Sequence, residues 1–403
     1  MQANKAYIVN LRLVTLLLLS VCALPVQAGS WRGYIAAQER FFFDDPADPR
    51  QHGNNFSIAA QPEYYHDWAD GKQSLTFTPF VRYDQGDDER THADIRELAW
   101  GYVARDYEWT VGISKVFWGV TEAQHLVDII NQTDLVEEPD GEEKLGQPMI
   151  NLSLIRDWGT VGVFVLPGFR ERTFAGVNGR PRIIPRVEKN LTSYESSRGD
   201  EHVDVAVRWS HAIGDMDIGF SWFHGTSRDP LLFPSTTDSG EIVLAPFYQI
   251  IDQAGLDVQL TKGNWLWKLE AINRDGNYDK FRAATAGFEY TFYGIFETIA
   301  DVGLVMEYLY DSRGVLATTP FEDDLLTGLR FTFNDAQSTD ALLGAIKDKD
   351  DDSDLITLEA NRRLGDNWKM SLQASKFIVD GLDQSLQSFA EDDYLQLELA
   401  YYF

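Results

Sequence analysis

Apolar and polar side chains alternate with a period of two along much of the chain. In the segment 203–210, Val203, Val205, Val207 and Trp209 alternate with polar or small residues. The same two-faced pattern recurs over the segments 75–84, 216–222, 287–292, 302–311 and 325–334. Residues i and i+2 share one face of a β-strand, so this pattern predicts strands with one apolar and one polar face. The sequence therefore predicts an all-β fold of antiparallel strands.

These strands favour a closed transmembrane barrel over a soluble β-sandwich, which would show the same alternation. Many of them approach the ~9–11 residues that a tilted strand needs to cross a bilayer. Aromatic residues lie near the ends of the apolar faces, where a transmembrane barrel places its interfacial girdle. The connections alternate between short and long, as they do on the two sides of such a barrel.

The connections set the expected number of strands. Tight turns are predicted near 69–71, 105–106, 157–159, 213–215, 262–264, 293–294, 334–336 and 364–366. Longer links are predicted near 44–54, 85–92, 119–148, 169–200, 226–246, 275–279, 312–322, 348–353 and 379–390. Eight turns and nine links join 18 strands, an even number that leaves both barrel ends on the side of the short turns. About 16 strands are the alternative, because the segments 338–348 and 379–390 show the weakest pattern.

A barrel of this size implies an aqueous interior. Hydrocarbon offers no partners for backbone N–H and C=O groups, so the sheet must close on itself. With about 18 strands, side chains alone cannot fill the lumen. One strand face then contacts lipid, and the other lines a water-filled channel.

The segment 1–28 is predicted to be a cleaved secretory signal peptide. Two basic residues precede an apolar core that begins with Leu13–Leu19, and small residues end the segment at Ala28. We expect residues 29–403 to form the exported, mature barrel. An uncleaved membrane anchor and a lipoprotein attached through Cys22 are the alternatives.

The C-terminal segment 394–403 alternates again and ends in Phe403. A last strand of this kind resembles the C-terminal assembly signal of bacterial outer-membrane β-barrels. The resemblance implies that the barrel-assembly machinery of a Gram-negative cell is a partner and that the outer membrane is the destination.

Composition and charge exclude several classes of function. The 403-residue chain carries 63 acidic and 35 basic side chains, a formal net charge of −28, which argues against a nucleic-acid partner. The single cysteine lies in the predicted signal peptide, so the mature chain would have no disulfide and no thiolate ligand. Metalloprotease, nucleophile-elbow and phosphate-loop motifs are absent, and acidic runs such as 348–354 lack EF-hand spacing. We expect no enzyme activity, no cofactor and no metal.

Charged residues of both signs occupy the predicted inward faces. We expect the pore to be lined by Arg82, Glu97, Glu108, Asp204, Arg208, Asp217, Lys268, Glu270, Glu289, Glu307 and Arg330. The same pattern places Asp84, Asp257, Glu359 and Glu398 on these faces. A packed core would not tolerate these charges, whereas a water-filled lumen would, and there they act on passing solutes. Pairing across the wall, which would only stiffen the barrel, is the alternative.

The link 119–148 contains a candidate helix. The segment 121–124 fits a capping box, and apolar residues between 123 and 130 form a helical stripe. We expect an amphipathic helix that folds into the lumen and narrows it. A surface loop with one helical turn is the alternative.

The link 169–200 contains a basic cluster in an otherwise acidic chain. Its members are Arg170, Arg172, Arg180, Arg182 and Arg186. Guanidinium groups bind carboxylate and phosphate in bidentate fashion. We expect this loop to line the mouth and attract anionic solutes. Docking to lipopolysaccharide phosphates and pairing with the acidic loops are the alternatives.

One hairpin and the loop after it show a family resemblance. The segments 96–102 (RELAWGY), 109–119 (WTVGISKVFWG) and 128–134 (DIINQTD) follow one another closely. They resemble a hairpin of proteobacterial porin-like outer-membrane barrels, in which a strand ending in Trp-Gly leads into a loop with an Ile-Asn segment. In this chain Gln132-Thr133 replaces the proline-containing turn of that pattern. The resemblance implies solute passage and assigns no catalytic residue.

We therefore expect an outer-membrane, porin-like channel for passive diffusion of small hydrophilic solutes, anions among them. Membrane lipid and lipopolysaccharide would surround it, and it could form a homo-oligomer. A substrate-selective transporter and a barrel enzyme or surface-binding protein are the alternatives.

Overall fold

The computed structural model describes residues 29–349, 353–379 and 384–403. The predicted signal peptide, residues 1–28, lies outside the described residues. The strands of the barrel wall are Gly29–Phe42 (β1), Asn54–Trp68 (β2), Gln73–Asp84 (β3), His92–Val103 (β4), Tyr107–Ser114 (β5), Gln147–Arg156 (β6), Gly159–Pro167 (β7), Val203–Ile213 (β9), Met216–Thr226 (β10), Ile250–Lys262 (β13), Trp265–Gly276 (β14), Lys280–Phe292 (β15), Asp301–Asp311 (β16), Asp323–Thr332 (β17), Asp340–Asp348 (β18), Asp354–Leu364 (β19), Trp368–Ile378 (β20) and Tyr394–Tyr402 (β21).

These strands form one closed, antiparallel, 18-stranded sheet, as the alternation predicted. Each wall strand pairs with the next wall strand along the chain, and β1 pairs with β21 from Tyr34↔Tyr402 to Phe42↔Tyr394. The weakly patterned segment 338–348 contains β18, whereas the described part of 379–390 lies in a connection that includes the short helix Gln384–Gln387. The β1–β21 pairing closes the sheet into a barrel, as a sheet that crosses hydrocarbon requires.

The two ends of the barrel differ in the length of their connections. All eight short turns lie at one end, and the longest of them is the segment 293–300. The first and last strands also meet at this end, where the Gly33 N–H donates to the Phe403 carbonyl and the Phe403 N–H donates to the Gly33 carbonyl. This arrangement confirms that both ends of the described barrel lie on the side of the short turns.

The outer surface of the wall is apolar and exposed. On β10, Phe220 and Trp222 are 48% and 44% exposed, whereas the inward-facing Phe223 is 1% exposed. The same contrast recurs around the barrel, with exposed Val163, Val207, Trp267 and Leu397 among many others. An apolar outer band flanked by aromatic residues is the surface that a transmembrane barrel presents to lipid.

Among the described residues, no helix is long and apolar enough to cross a membrane.

A small second sheet forms from the long connections after β7 and β10. The hairpin Leu231–Thr236 (β11) and Ile242–Tyr248 (β12) folds back over the barrel, and the two-residue strand Ser193–Tyr194 (β8) pairs in parallel with β12. Within this sheet the Tyr194 and Tyr248 rings stack with centroids 5.6 Å apart, and both meet the Phe169 ring edge-on, at 6.2 and 4.8 Å. The sheet therefore ties the connection 168–202 to the connection between β10 and β13.

Candidate pore constriction

The connection between β5 and β6, residues 115–146 and here called the inner loop, folds into the barrel. Val127 and Ile130 are fully buried. They pack with inward side chains of the wall, namely Phe164, Leu166, Ala206, Phe223, Ile251, Ile272, Phe281 and Ala283. Burial of these apolar groups against one side of the wall holds the loop inside the lumen. The loop therefore narrows the lumen, as the sequence predicted.

The predicted helix at 121–130 is wrong, because these residues form turns and irregular backbone. The N–H groups of Val120, Thr121 and Val127 donate to the Glu270 carboxylate at 2.7–3.1 Å. The N–H groups of Glu122 and Ala123 donate to Glu307. In the first turn of a helix these backbone N–H groups would have no partner within the helix. Here the wall carboxylates accept their hydrogen bonds instead. The stripe of apolar residues contacts the wall without helical geometry.

A chain of charged groups links the two halves of the inner loop. His125 Nε2 lies 3.2 Å from Glu142, and its Nδ1 lies 3.8 Å from Glu270. Burial by itself lowers the pKa of His125, but Glu142 and Glu270 outweigh it and raise the pKa to about 10. His125 is therefore protonated at neutral pH and joins a loop carboxylate to a wall carboxylate.

The second half of the inner loop crosses to the opposite wall. Asp134 pairs with Arg96 of β4 at 2.7 Å, and Glu137 pairs with Arg82 of β3 at 2.8 Å. Asp140 accepts a hydrogen bond from Gln373 of β20 at 3.1 Å. The loop therefore spans the lumen from the β14–β16 side to the β20 side.

The remaining gap is bordered by charged residues that we call the constriction ring. The ring consists of Glu122, Asp140, Glu142, Arg330 and Glu359. Arg330 lies 2.7 Å from Glu122, which also pairs with Lys268 at 3.3 Å. Glu359 on the wall is close enough to Glu122 and Glu142 to experience their charge. The four carboxylates are opposed by Arg330, by Lys268 paired with Glu122 and by the protonated His125 paired with Glu142, which leaves the ring a small excess of negative charge.

Water reaches the ring although protein surrounds it. Glu142 keeps 53% of its side-chain surface exposed, and Asp140 and Glu359 are also exposed. Enclosure by protein, followed by the nearby charge of Glu138 and Glu142, raises the pKa of Asp140 to about 7. Burial favours the neutral form of Glu122, but Arg330 and Lys268 hold its pKa below the usual value. These carboxylates border a wet, enclosed space, as a pore requires.

The eleven predicted pore-lining residues fall into three groups. Several are tied into the inner loop or to each other: Arg82, Lys268, Glu270, Glu289, Glu307 and Arg330 contact the loop or the ring. Arg208 forms a bidentate pair with Asp257 at 2.6 and 2.8 Å, and Asp204 pairs with Arg228 at 2.7 Å. Glu97 accepts from Ser114, whereas Glu108 and Asp217 lie near the short-turn end, away from the ring.

Each arginine of the predicted cluster forms an ion pair. Arg170 pairs with Asp94 at 2.9 Å, Arg180 with Asp392 at 2.5 Å and Arg182 with Asp48 at 2.8 Å. Arg172 pairs with Asp229, and Arg186 pairs with Glu188 and Glu241. The structure therefore contains the pairing with acidic residues that the sequence analysis gave as an alternative. Attraction of anionic solutes by this loop stays a prediction.

Three buried arginines that hold the second half of the inner loop were not among the predicted functional residues. Arg40, Arg90 and Arg96 are 2–3% exposed and bind the inner loop, Arg90 through the carbonyls of Val136 and Glu137. Arg96 enters the lumen through a β-bulge, because the β3–β4 register shifts between Thr78 and Pro79. Strict alternation places residue 96 on the outer face, so the pattern alone gives no signal for it.

Among the described residues, no group of three or more His, Cys, Asp or Glu side chains is arranged to hold a metal ion.

The fold is similar to that of outer-membrane barrels. No protein-family model and no curated protein matches the chain in sequence. Wzi of Escherichia coli, an outer-membrane carbohydrate-binding β-barrel involved in group 1 capsule assembly, matches with a TM-score of 0.53 and 9% identity over 92% of this chain and 84% of that chain. A variant of the porin of Rh. blastica gives a TM-score of 0.45 and 12% identity over 93% and 100% of the two chains. The Wzi match supports the barrel fold and nothing finer.

Proposed function

We propose that the protein is an outer-membrane, porin-like channel for passive diffusion of small hydrophilic solutes. The observation that carries the proposal is the inner loop, which crosses the lumen and leaves a charged, water-exposed ring. A closed wall with an apolar outside supports location in a bilayer, and the terminal strand ending at Phe403 supports delivery by the barrel-assembly machinery. Lipopolysaccharide and other outer-membrane lipid would contact the wall.

The ring favours cations and neutral solutes over anions. Glu122 is balanced by Arg330 and Glu142 by the protonated His125, whereas Asp140 and Glu359 form no ion pair with a described residue and add negative charge beside the same gap. A ring of carboxylates attracts cations into a pore and raises the barrier for anions. The excess of acidic residues over the whole chain acts in the same direction. This preference for cations is the reverse of the anion preference expected from the arginine cluster.

Single-channel recording in planar bilayers tests the proposal. The purified barrel should form stable, ohmic channels, and a gradient of potassium chloride should give a reversal potential of the sign for cation preference. A barrel that inserts in its folded, heat-modifiable form but conducts no current would exclude a channel.

Surface binding of carbohydrate is a second candidate. At the long-loop end, Phe233, Phe247 and Tyr278 form a row of aromatic contacts with centroids 4.8–6.0 Å apart, and Phe233 and Tyr278 are 48% and 61% exposed. Exposed aromatic rings with a polar surround mark recognition surfaces. Calorimetry with capsular oligosaccharides would test this candidate, and loss of any signal in Tyr278→Ala would locate the site.

A further inference from the structure

The barrel wall is incomplete beside β4. This strand spans His92–Val103, but its pairing with β5 covers Leu98–Val103 only. The next strand, β5, ends at Ser114, opposite the first residue of β6, Gln147. The outer part of β4, residues 92–97, therefore has a wall partner on its β3 side alone. This unpaired edge is roughly 20 Å long at the usual rise of a strand.

The gap lies within the lipid-facing band. Outward-facing residues of β5 run from Tyr107 near the short-turn end to Ile113. Six residues of a tilted strand cover about 15 Å along the membrane normal, whereas the apolar band of such barrels is about 25 Å tall. The exposed side chains of Ile95, Leu98 and Val111 belong to the apolar outer surface, so the opening beside β4 lies on the lipid-facing side of the wall.

Loop residues close the gap from inside. Gly146 lies against the edge of β4, where a Cβ atom would come within 2.3 Å of the Arg96 carbonyl oxygen. Arg170, from the connection after β7, donates to the Gly146 carbonyl and to Asp94, both at 2.9 Å. Its side chain is 29% exposed, and its Nε donates to no described residue. A guanidinium with a spare donor therefore stands in the opening.

A groove in the outer surface leads to this guanidinium. The cavity of about 410 Å³ is lined by Ala93, Ile95, Ile113, Pro148, Gly146, Asp94 and Arg170. The side chains of Ala93, Ile95, Ile113 and Pro148 belong to the apolar, outward face of the wall. The groove is therefore continuous with the lipid-facing surface, apolar along its sides and charged at its floor.

We propose that this groove is a docking site for a phosphate-bearing, multiply acylated glycolipid of the outer leaflet. Asp94 already pairs with the guanidinium of Arg170, and the Nε donor, which has no described acceptor, remains available to a phosphate oxygen. The acyl chains would lie along Ile95, Ile113 and Pro148. The proposal rests on the outer-membrane location proposed above and does not depend on whether the lumen conducts.

Binding of defined lipids to the purified barrel in micelles tests the proposal. The ligands are a diphosphorylated, hexa-acylated glycolipid, its dephosphorylated form and inorganic phosphate, and bound lipid is counted by native mass spectrometry. We expect the phosphorylated glycolipid to bind at least tenfold more tightly than the other two. Equal binding of the dephosphorylated form, or equal occupancy by inorganic phosphate alone, would overturn the proposal.

Three variants locate the site. Arg170→Gln removes the charge, and Ile113→Trp fills the groove while leaving Arg170 in place, so at least one is informative if the other fails to fold. Each should weaken glycolipid binding at least tenfold. Arg186→Gln, in the same connection but paired with Glu188 and Glu241, is the matched control and should bind as the parent does. Unchanged binding in both groove variants would overturn the proposal, and conductance recorded on the same samples keeps this outcome separate from failure of the channel.

Discussion

The hydroxyl of Thr121, on the inner loop, donates to the carboxylate of Glu270, on the barrel wall, at 2.8 Å. The same carboxylate accepts from the backbone N–H groups of Val120, Thr121 and Val127. One buried acidic side chain therefore organises the first half of the loop, in the way that an anion organises a ring of backbone donors. The loop owes its position in the lumen as much to this contact as to its apolar residues.

Glu270→Ala should release the first half of the inner loop. Three backbone N–H groups and the His125 side chain lose a buried partner, and each unsatisfied buried group costs about 1–3 kcal/mol. We expect hydrogen exchange over 120–127 to accelerate roughly a hundredfold, which corresponds to about 3 kcal/mol, and open-channel noise to increase. Glu63→Ala removes an exposed pair with Arg32 and is the control. Unchanged exchange in Glu270→Ala would show that the apolar contacts alone hold the loop.

Neutralising the constriction ring should reduce cation selectivity. Asp140→Asn, Glu142→Gln and Glu359→Gln each remove one negative charge from the enclosed gap, where screening by water is weaker than at the surface. We expect each substitution to lower the cation-to-anion permeability ratio roughly twofold, and the triple variant to approach a ratio near one. Asp238→Asn, at the exposed tip of the β11–β12 hairpin, should have no effect. Equal losses in Asp238→Asn and the ring variants would assign selectivity to overall charge.

Cation selectivity should depend on pH through Asp140. Its pKa is raised to about 7 by enclosure and by Glu138 and Glu142, so the carboxylate is charged at pH 8 and neutral at about pH 6. The permeability ratio should therefore fall as the pH is lowered through 7, and Asp140→Asn should abolish this step. His125, with a pKa of about 10, stays protonated throughout and adds no step. A single transition near the ordinary carboxyl range, about pH 4, would contradict this assignment.

The same titration has a consequence for stability. Because the folded protein holds the Asp140 proton more tightly than the unfolded chain does, stability falls as the pH rises from about 4 to about 7. We expect Asp140→Asn to remove this loss and to raise the melting temperature at pH 8 relative to the parent, with little difference at pH 4. Differential scanning calorimetry of the detergent-solubilised barrel measures the melting temperature of both proteins at the two pH values.

Closure of the barrel should fail when the last strand cannot pair. Leu397 faces outward on β21 and pairs with Leu372 on β20 and Glu39 on β1. Leu397→Pro removes a backbone donor in the centre of the strand and should abolish the heat-modifiable, folded form on gels, because an open edge cannot be satisfied in hydrocarbon. Leu397→Ala keeps the backbone donor and should still assemble. Assembly of both variants would mean that the β1–β21 pairing is dispensable.

The number of strands and the apolar and polar faces of the wall could be predicted from the sequence, but the arrangement of the constriction ring could not. Strand alternation is a local property, and so the wall, the turns and the long links appear in their predicted places. The predicted helix at 121–130 failed because Glu270 and Glu307, far away in sequence, bind the same backbone donors. The basic cluster at 170–186 looked free for solutes because most of its acidic partners, namely Asp48, Asp94, Asp229, Glu241 and Asp392, are distant from it in sequence.

The sequence by itself determined a closed 18-stranded wall with an apolar outer surface and with both barrel ends on the short-turn side. It could do so because the period-two alternation and the spacing of the turns are properties of the local sequence. Only the tertiary structure decided which charges line the gap. The path of the inner loop depends on many weak contacts between distant residues. A single register shift turned Arg96 inward, and a short fifth strand opened the wall at Arg170. Such features arise from pairing between strands, which no local pattern encodes.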